Sequence, residues 1–339
     1  MKKTHLSTYN EGYAEYRIPG IICTGKNTLL AYCEGRCGGT DWGKIEIIVW
    51  RSEDPKGGER TWSEYSVLVP SSNDDTVNNA NMIADGDTIH FIYHINYHKA
   101  YYMRSDDDGH TWTQPEEITY AFDAFRDKQI WGVCASGPSH GTKLSTGRLI
   151  QPIWIAYDEN DPEHGHSPSK TGCIYSDDHG KTWKAGGLIT DECILSGGET
   201  VCAELSNGDV MLNIRNCSGY RGVAVSHDGG ETFDPAYQDT NLIDPMCSAG
   251  MTSYNGKIYL SNCEHEPGEE DVRCNLCLKA SEDDGKTWTK VCQIEQRAGY
   301  SDIITDKDGK MYCFYECERP IENNSSFPQL HLTVAEIEI

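Results

Sequence analysis

Ser105-Asp106-Asp107-Asp108-Gly109-His110-Thr111-Trp112 is one of four near-copies of a single turn, and its repetition decides the fold class. The others begin at Ser176 (SDDHGKTW), Ser226 (SHDGGETF) and Ser281 (SEDDGKTW), and a fifth, stretched by insertion, begins at Ser52 (SEDPKGGERTW). Each copy combines Asp and Gly suited to a tight turn, a Thr able to bond locally, and an aromatic able to plug an adjoining core. A second signal alternates with the first at Gly25-Lys26-Asn27, Asp85-Gly86, Thr146-Gly147, Asn207-Gly208, Asn255-Gly256 and Asp308-Gly309. Runs beside these turns, such as Thr28-Leu29-Leu30-Ala31-Tyr32 and Val210-Met211-Leu212-Asn213-Ile214, have strand length and no helical period. Six turns of one kind and five of the other predict six four-stranded units, an all-β six-bladed β-propeller in which one closing blade lacks a box. No linker or composition break divides the chain, so residues 1–339 read as a single domain.

Bulk composition narrows the partners. The formal net charge is -24, which argues against nucleic acid and anionic membrane, since both need clustered Lys and Arg. An anionic ligand must then be met by a local basic pocket. No stretch approaches the ~18 apolar residues of a membrane helix, and Thr4-His5-Leu6-Ser7 after the first three residues is not an apolar signal core. The chain as it stands reads as cytoplasmic, and as secreted only if an upstream signal was removed. The fifteen cysteines are odd in number and scattered, so buried reduced thiols are expected rather than a disulfide or zinc framework. A monomer is expected, and no feature calls for a cofactor.

Turns repeated around a ring cannot all face one site, so chemistry is sought in residues that occur once. Tyr16-Arg17-Ile18-Pro19, Glu34-Gly35-Arg36, Asp41-Trp42-Gly43, the span from Glu199 to Arg215, Arg273 eight residues before a box, Gly299-Tyr300-Ser301-Asp302 and Tyr315-Glu316 occur in that order. With the boxes, this set resembles the sialidase (exo-α-neuraminidase) family with aspartate-box (BNR) repeats, similar to glycoside hydrolase family 33, nearly end to end.

The resemblance implies a retaining exo-α-sialidase that releases terminal sialic acid, or a related nonulosonic acid, from glycoconjugates through a tyrosyl-enzyme intermediate. Such a substrate bears a carboxylate on its anomeric carbon. Arg17, Arg215 and Arg273 then form a cationic clamp that lysines could not replace. Tyr300 is the implied nucleophile, because a neutral phenol avoids the repulsion a carboxylate would meet there. Glu199 takes its proton, Asp41 protonates the leaving oxygen and then activates water, Glu316 anchors Arg17, and Arg36 contacts a sugar hydroxyl. Glu199 is preferred to Glu204 because its spacing to Arg215, 215 − 199 = 16, fits the family pattern.

Two departures concern which nonulosonic acid is preferred. Asn78-Asn79-Ala80-Asn81 stands where the family often has an Asp-Pro pair, and Trp50-Arg51 stands where it has two arginines. His140 is a candidate for the rim of the site or a plain loop residue. The same residues would also serve transfer of the sugar to another acceptor or an internal anhydro product. A non-catalytic sialic-acid-binding propeller would have no need of Asp41, Glu199 and Tyr300 together.

Overall fold

The computed structural model describes residues 1–7, 12–56, 58–265, 273–318 and 330–339. Apart from the four-residue helix Tyr120–Asp123, its regular elements are antiparallel strands. Sheet by sheet, the strands are Glu15–Cys23, Leu29–Arg36, Ile45–Ser52 and Ser66–Val69; then Val77–Asp85, Thr88–Ile95, Lys99–Ser105 and Glu116–Glu117. The third sheet holds Val133–Ser136, Leu149–Ala156, Ser169–Ser176 and Lys184–Ile189 with the short Thr142–Lys143, and the fourth Thr200–Glu204, Val210–Ile214, Tyr220–Ser226 and Tyr237–Ile243. The last runs from Gly250–Tyr254 through Lys257–Cys263, Cys274–Ser281, Thr289–Thr305, Met311–Glu318 and Leu330–Ile337 to Lys2–His5.

The fold is an all-β propeller, but the expectation of six separate four-stranded blades is corrected. The described strands form five sheets, four of them separate units of four or five strands and the last a continuous sheet of seven. The cause is the strand Thr289–Thr305, 17 residues long. It pairs with Cys274–Ser281 from Thr289 to Arg297 and with Met311–Glu318 from Ala298 to Thr305. Turn signals count hairpins, and no turn interrupts this strand, so counting turns overcounts separate sheets.

Closure of the ring is written in the core. Ile22, Leu30 and Tyr32 of the first sheet pack with Val77 and Phe91 of the second. Ile83 and Ile92 of the second pack with Leu149 and Ile174 of the third. Cys173 of the third then meets Cys202 and Leu212 of the fourth, and Val201 of the fourth meets Met251 and Leu260 of the last. Phe314 and Leu332 of the last return to Tyr16 and Leu29 of the first. The sheets thus pack on both faces, and inner strands such as Leu29–Arg36 and Leu149–Ala156 are buried at every position.

The four clean boxes form one hydrogen-bonded device. In each, the Ser hydroxyl donates to the box Asp at 2.8–2.9 Å and accepts the box Gly N–H at 2.7–2.9 Å. The Thr N–H and hydroxyl both donate to the same Asp carboxylate. Trp112, Trp183, Phe233 and Trp288 then pack on four different core clusters, as turn residues that plug a core should. Replacing Ser226 by Ala strands the buried N–H of Gly230, and a loss of about 1–3 kcal/mol in unfolding free energy is expected by denaturant titration. Turnover of the folded fraction should stay at the wild-type value.

Candidate functional site

Three of the strands that carry site residues are broken by bulges at those residues. Register shifts fall between Arg17 and Gly20, between Asn78 and Asn81, and between Ala298 and Ser301. A bulge re-aims a side chain that regular pleating would send into the neighbouring sheet. The first bulge holds Ile18 at φ 62, a conformation a β-branched residue adopts only under constraint from its surroundings. That constraint is visible: the Ile18 N–H donates to Glu316 Oε1 at 3.1 Å, while Arg17 Nε donates to the same oxygen at 2.6 Å. The other Glu316 oxygen accepts the Tyr300 N–H at 3.1 Å. Glu316, almost wholly buried, therefore fixes both Arg17 and Tyr300. Gly299 must be glycine, because a Cβ there would lie 2.4 Å from Glu316 Oε2.

Around Tyr300 the three arginines converge. The guanidinium carbons of Arg17, Arg215 and Arg273 lie 5.4, 5.7 and 4.9 Å from the centre of its ring. Arg215 Nη1 donates to the Tyr300 hydroxyl at 2.5 Å and also to Glu199. Burial pushes the Tyr300 phenol well above its ordinary pKa, and Glu199 adds to this, against the pull of the three arginines. The phenol is therefore neutral near pH 7.

Asp41 sits across the same pocket on the loop between Leu29–Arg36 and Ile45–Ser52. Its side chain is 53% exposed, and Arg36 Nη1 donates to it at 2.7 Å. Burial pulls its pKa upward, but Arg36 outweighs burial and holds the carboxyl below its ordinary value. Arg36 lies behind Asp41 rather than in the pocket wall: its side chain is 2% exposed, with Nε and Nη2 on Glu34 at 2.9 and 2.7 Å.

The pocket has a volume of about 350 Å³, near the lower end of ligand sites at ~300–1,000 Å³ and of a size for one sugar unit. Arg17, Asp41, Glu199, Arg215, Arg273 and Tyr300 all line it; Glu316 and Arg36 support it from behind. Glu204 is elsewhere, accepting from Ser145 N and Oγ at 2.8 and 2.5 Å. His140 is not at the rim. It is buried, 2.9 Å from Asp302, whose other oxygen accepts the Ile21 N–H, so it ties sheets together. Asn79, φ 49, does line the pocket; its N–H is on Glu34 and its amide on the Ser136 carbonyl.

Sequence reasoning missed the opposite wall, made of Tyr97, Trp154, His166 and the hydroxyls of Ser167, Ser169 and Ser196. Burial lowers the pKa of His166, so the ring is neutral near pH 7. Its Nε2 and the indole N–H of Trp154 are buried without a hydrogen-bond partner. Only their aromatic character is visible in sequence, and that is ordinary in strands. Among the described residues no cluster of His, Cys, Asp and Glu suits a metal ion.

A closed propeller with repeated Asp-box turns and one arginine-lined pocket is a BNR-type propeller, and residues 27–313 match the BNR repeat-like domain family. The chain belongs to the sialidase and BNR-repeat glycoside hydrolase family. It is 30% identical over 347 residues to the sialidase of Micromonospora viridifaciens, across 90% of this chain and 50% of that protein. To the exo-alpha-sialidase of Arthroderma benhamiae it is 28% identical over 275 residues, across 72% and 61%. The solved structure of the Hadza microbial sialidase Hz136 shares the fold with a TM-score of 0.78 at 23% identity, across 97% of this chain and 67% of that one. The chain spans about half the length of the curated relatives it matches.

Proposed function

We propose that this propeller is a retaining exo-α-sialidase acting on terminal sialic acid or a related nonulosonic acid of glycoconjugates, through a covalent intermediate on Tyr300. The observation that carries the reading is the crowding of three guanidiniums around one buried phenol, with Glu199 joined to that phenol through Arg215. A carboxylate on the substrate is the ligand such a clamp fits, in bidentate or flanking hydrogen bonds. The names of the relatives support the same substrate class.

The steps follow from the contacts. The substrate carboxylate takes further N–H groups of Arg215, whose Nη1 keeps Glu199 and the Tyr300 hydroxyl side by side. Glu199 takes the proton as the phenol oxygen bonds to the anomeric carbon. The glycosidic C–O bond breaks, and its oxygen takes a proton from Asp41. Arg36 keeps Asp41 ionised, and that proton is taken up as the glycan covers the carboxyl. In the second half Asp41 removes a proton from water, the water oxygen displaces the tyrosyl oxygen, and Glu199 returns the proton to Tyr300. Two inversions give net retention.

Purified protein is expected to release a fluorophore from an aryl sialoside, or from the aryl glycoside of the deaminated acid, with the first-formed product in the substrate's anomeric configuration by NMR. Glu199→Gln should lose roughly 10²-fold in kcat or more, and Glu204→Gln less than about twofold. Release from neither substrate overturns the reading, as does equal loss in both variants.

A further inference from the structure

Asp41 faces the pocket from a loop that has little else to hold it. Cys37 N–H bonds the Lys44 carbonyl at 3.0 Å to close the base of the loop. The Gly43 N–H donates to Thr76 Oγ1 at 2.9 Å, and that hydroxyl donates back to the Gly43 carbonyl at 2.7 Å. Space around Gly38 and Gly43 is open, since a Cβ there would meet nothing within 4 Å. The Arg36 bond fixes where the carboxylate points, but not the backbone that carries it.

Trp42, the next residue, supplies the missing contact. Its ring centre lies 4.8 Å from that of Tyr97 and 4.5 Å, edge to face, from that of His164. His166 is 5.8 Å away and His98 6.5 Å. These partners come from the turn after Thr88–Ile95 and the loop after Leu149–Ala156, so Trp42 stitches the Asp41 loop to two other sheets. Edge-to-face and tilted aromatic pairs each contribute beyond their buried area. Two of the partners, Tyr97 and His166, are also pocket wall, so the contact sets the distance from Asp41 to that wall.

We infer that Trp42 is a positioning residue for Asp41, an aromatic clasp that holds the acid at its distance from the bond to be cleaved. This rests on Asp41 being the proton donor. Proton donation matters most when the leaving group is a poor one, an alkyl hydroxyl, and least when it is an acidic phenol. A displaced acid should therefore penalise one substrate and spare the other, whereas general loss of structure penalises both.

The experiment measures kcat/KM, which reports the steps through cleavage of the glycosidic bond and not the later water attack that Asp41 also serves, on sialyllactose and on a fluorogenic aryl sialoside for wild type, Trp42→Ala, Trp42→Phe and Asp41→Ala. Trp42→Ala is expected to lose roughly 10–100-fold on sialyllactose and less than about threefold on the aryl substrate. Trp42→Phe should recover most of the loss, and Asp41→Ala should show the same selectivity more strongly. Equal losses on both substrates in Trp42→Ala, or none, overturn the clasp while leaving the function standing. Absence of selectivity in Asp41→Ala overturns the acid assignment and the clasp together. Where melting curves show that Trp42→Ala is not folded, Trp42→Leu carries the same comparison.

Discussion

Tyr300→Phe is expected to fold and to bind, and to lose about 10³-fold or more in kcat, on the order of 4 kcal/mol in the barrier. The substitution removes one atom. The ring, packed in the cluster with Ile18, Ile303 and Tyr315, keeps its apolar contacts and its place among Arg17, Arg215 and Arg273. The Tyr300 N–H still bonds Glu316, so the backbone is held as before. What goes is the oxygen that receives Arg215 and that, on the proposed mechanism, attacks the sugar. A small change in KM with a collapsed kcat, and loss of the burst that marks a covalent intermediate, are the expected signature. Turnover by Tyr300→Phe within about threefold of wild type would falsify the nucleophile assignment.

The ring was legible in sequence because turns are local. Ser226, Asp228, Gly230 and Thr232 satisfy one another within seven residues, so the letters that build the turn stand together. Sheet continuity is not local in this way. Whether Thr289–Thr305 ends one sheet or joins two is settled by its partners on both sides, and nothing within the strand announces it. The same division holds in the site. Arg17, Asp41, Glu199, Arg215, Arg273 and Tyr300 were found through motif order, and they share one pocket although up to 283 positions, 300 − 17, separate them.

Supports and walls were harder to read. Arg36 carries no mark that its guanidinium is spent on Glu34 and Asp41, and His140 none that its partner is Asp302. The aromatic wall is similar: Tyr97, at φ 56 after Thr88–Ile95, and Trp154, within a fully buried strand, are ordinary residues until neighbouring sheets bring them beside His166. The acidic surface hides the basic pocket, since a net charge of -24 coexists with three cations placed where one ring needs them.

Arg215→Lys, which keeps the charge, is expected to cost roughly 10²-fold in kcat/KM, about 2.7 kcal/mol. Arg215 follows Val210–Ile214, whose Val210, Leu212 and Ile214 pack toward the third sheet and Met211 toward the seven-stranded one. It emerges into the pocket at the end of a rigid strand. There its Nη1 meets both Glu199 and the Tyr300 hydroxyl. A guanidinium has further N–H groups in a fixed plane for a carboxylate, whereas an ammonium is a compact point charge on a flexible stem. Lysine can satisfy Glu199 or a ligand, but not hold the phenol, the base and the substrate carboxylate in one geometry. Losses should therefore fall on KM, through the lost fork, and on kcat, through a phenol no longer aligned with Glu199. A purely electrostatic clamp predicts otherwise: with charge conserved, kcat/KM would stay within about fivefold of wild type. Steady-state kinetics of Arg215→Lys beside Arg215→Ala separates the two accounts, because only the planar-fork account makes the lysine variant fall most of the way to alanine.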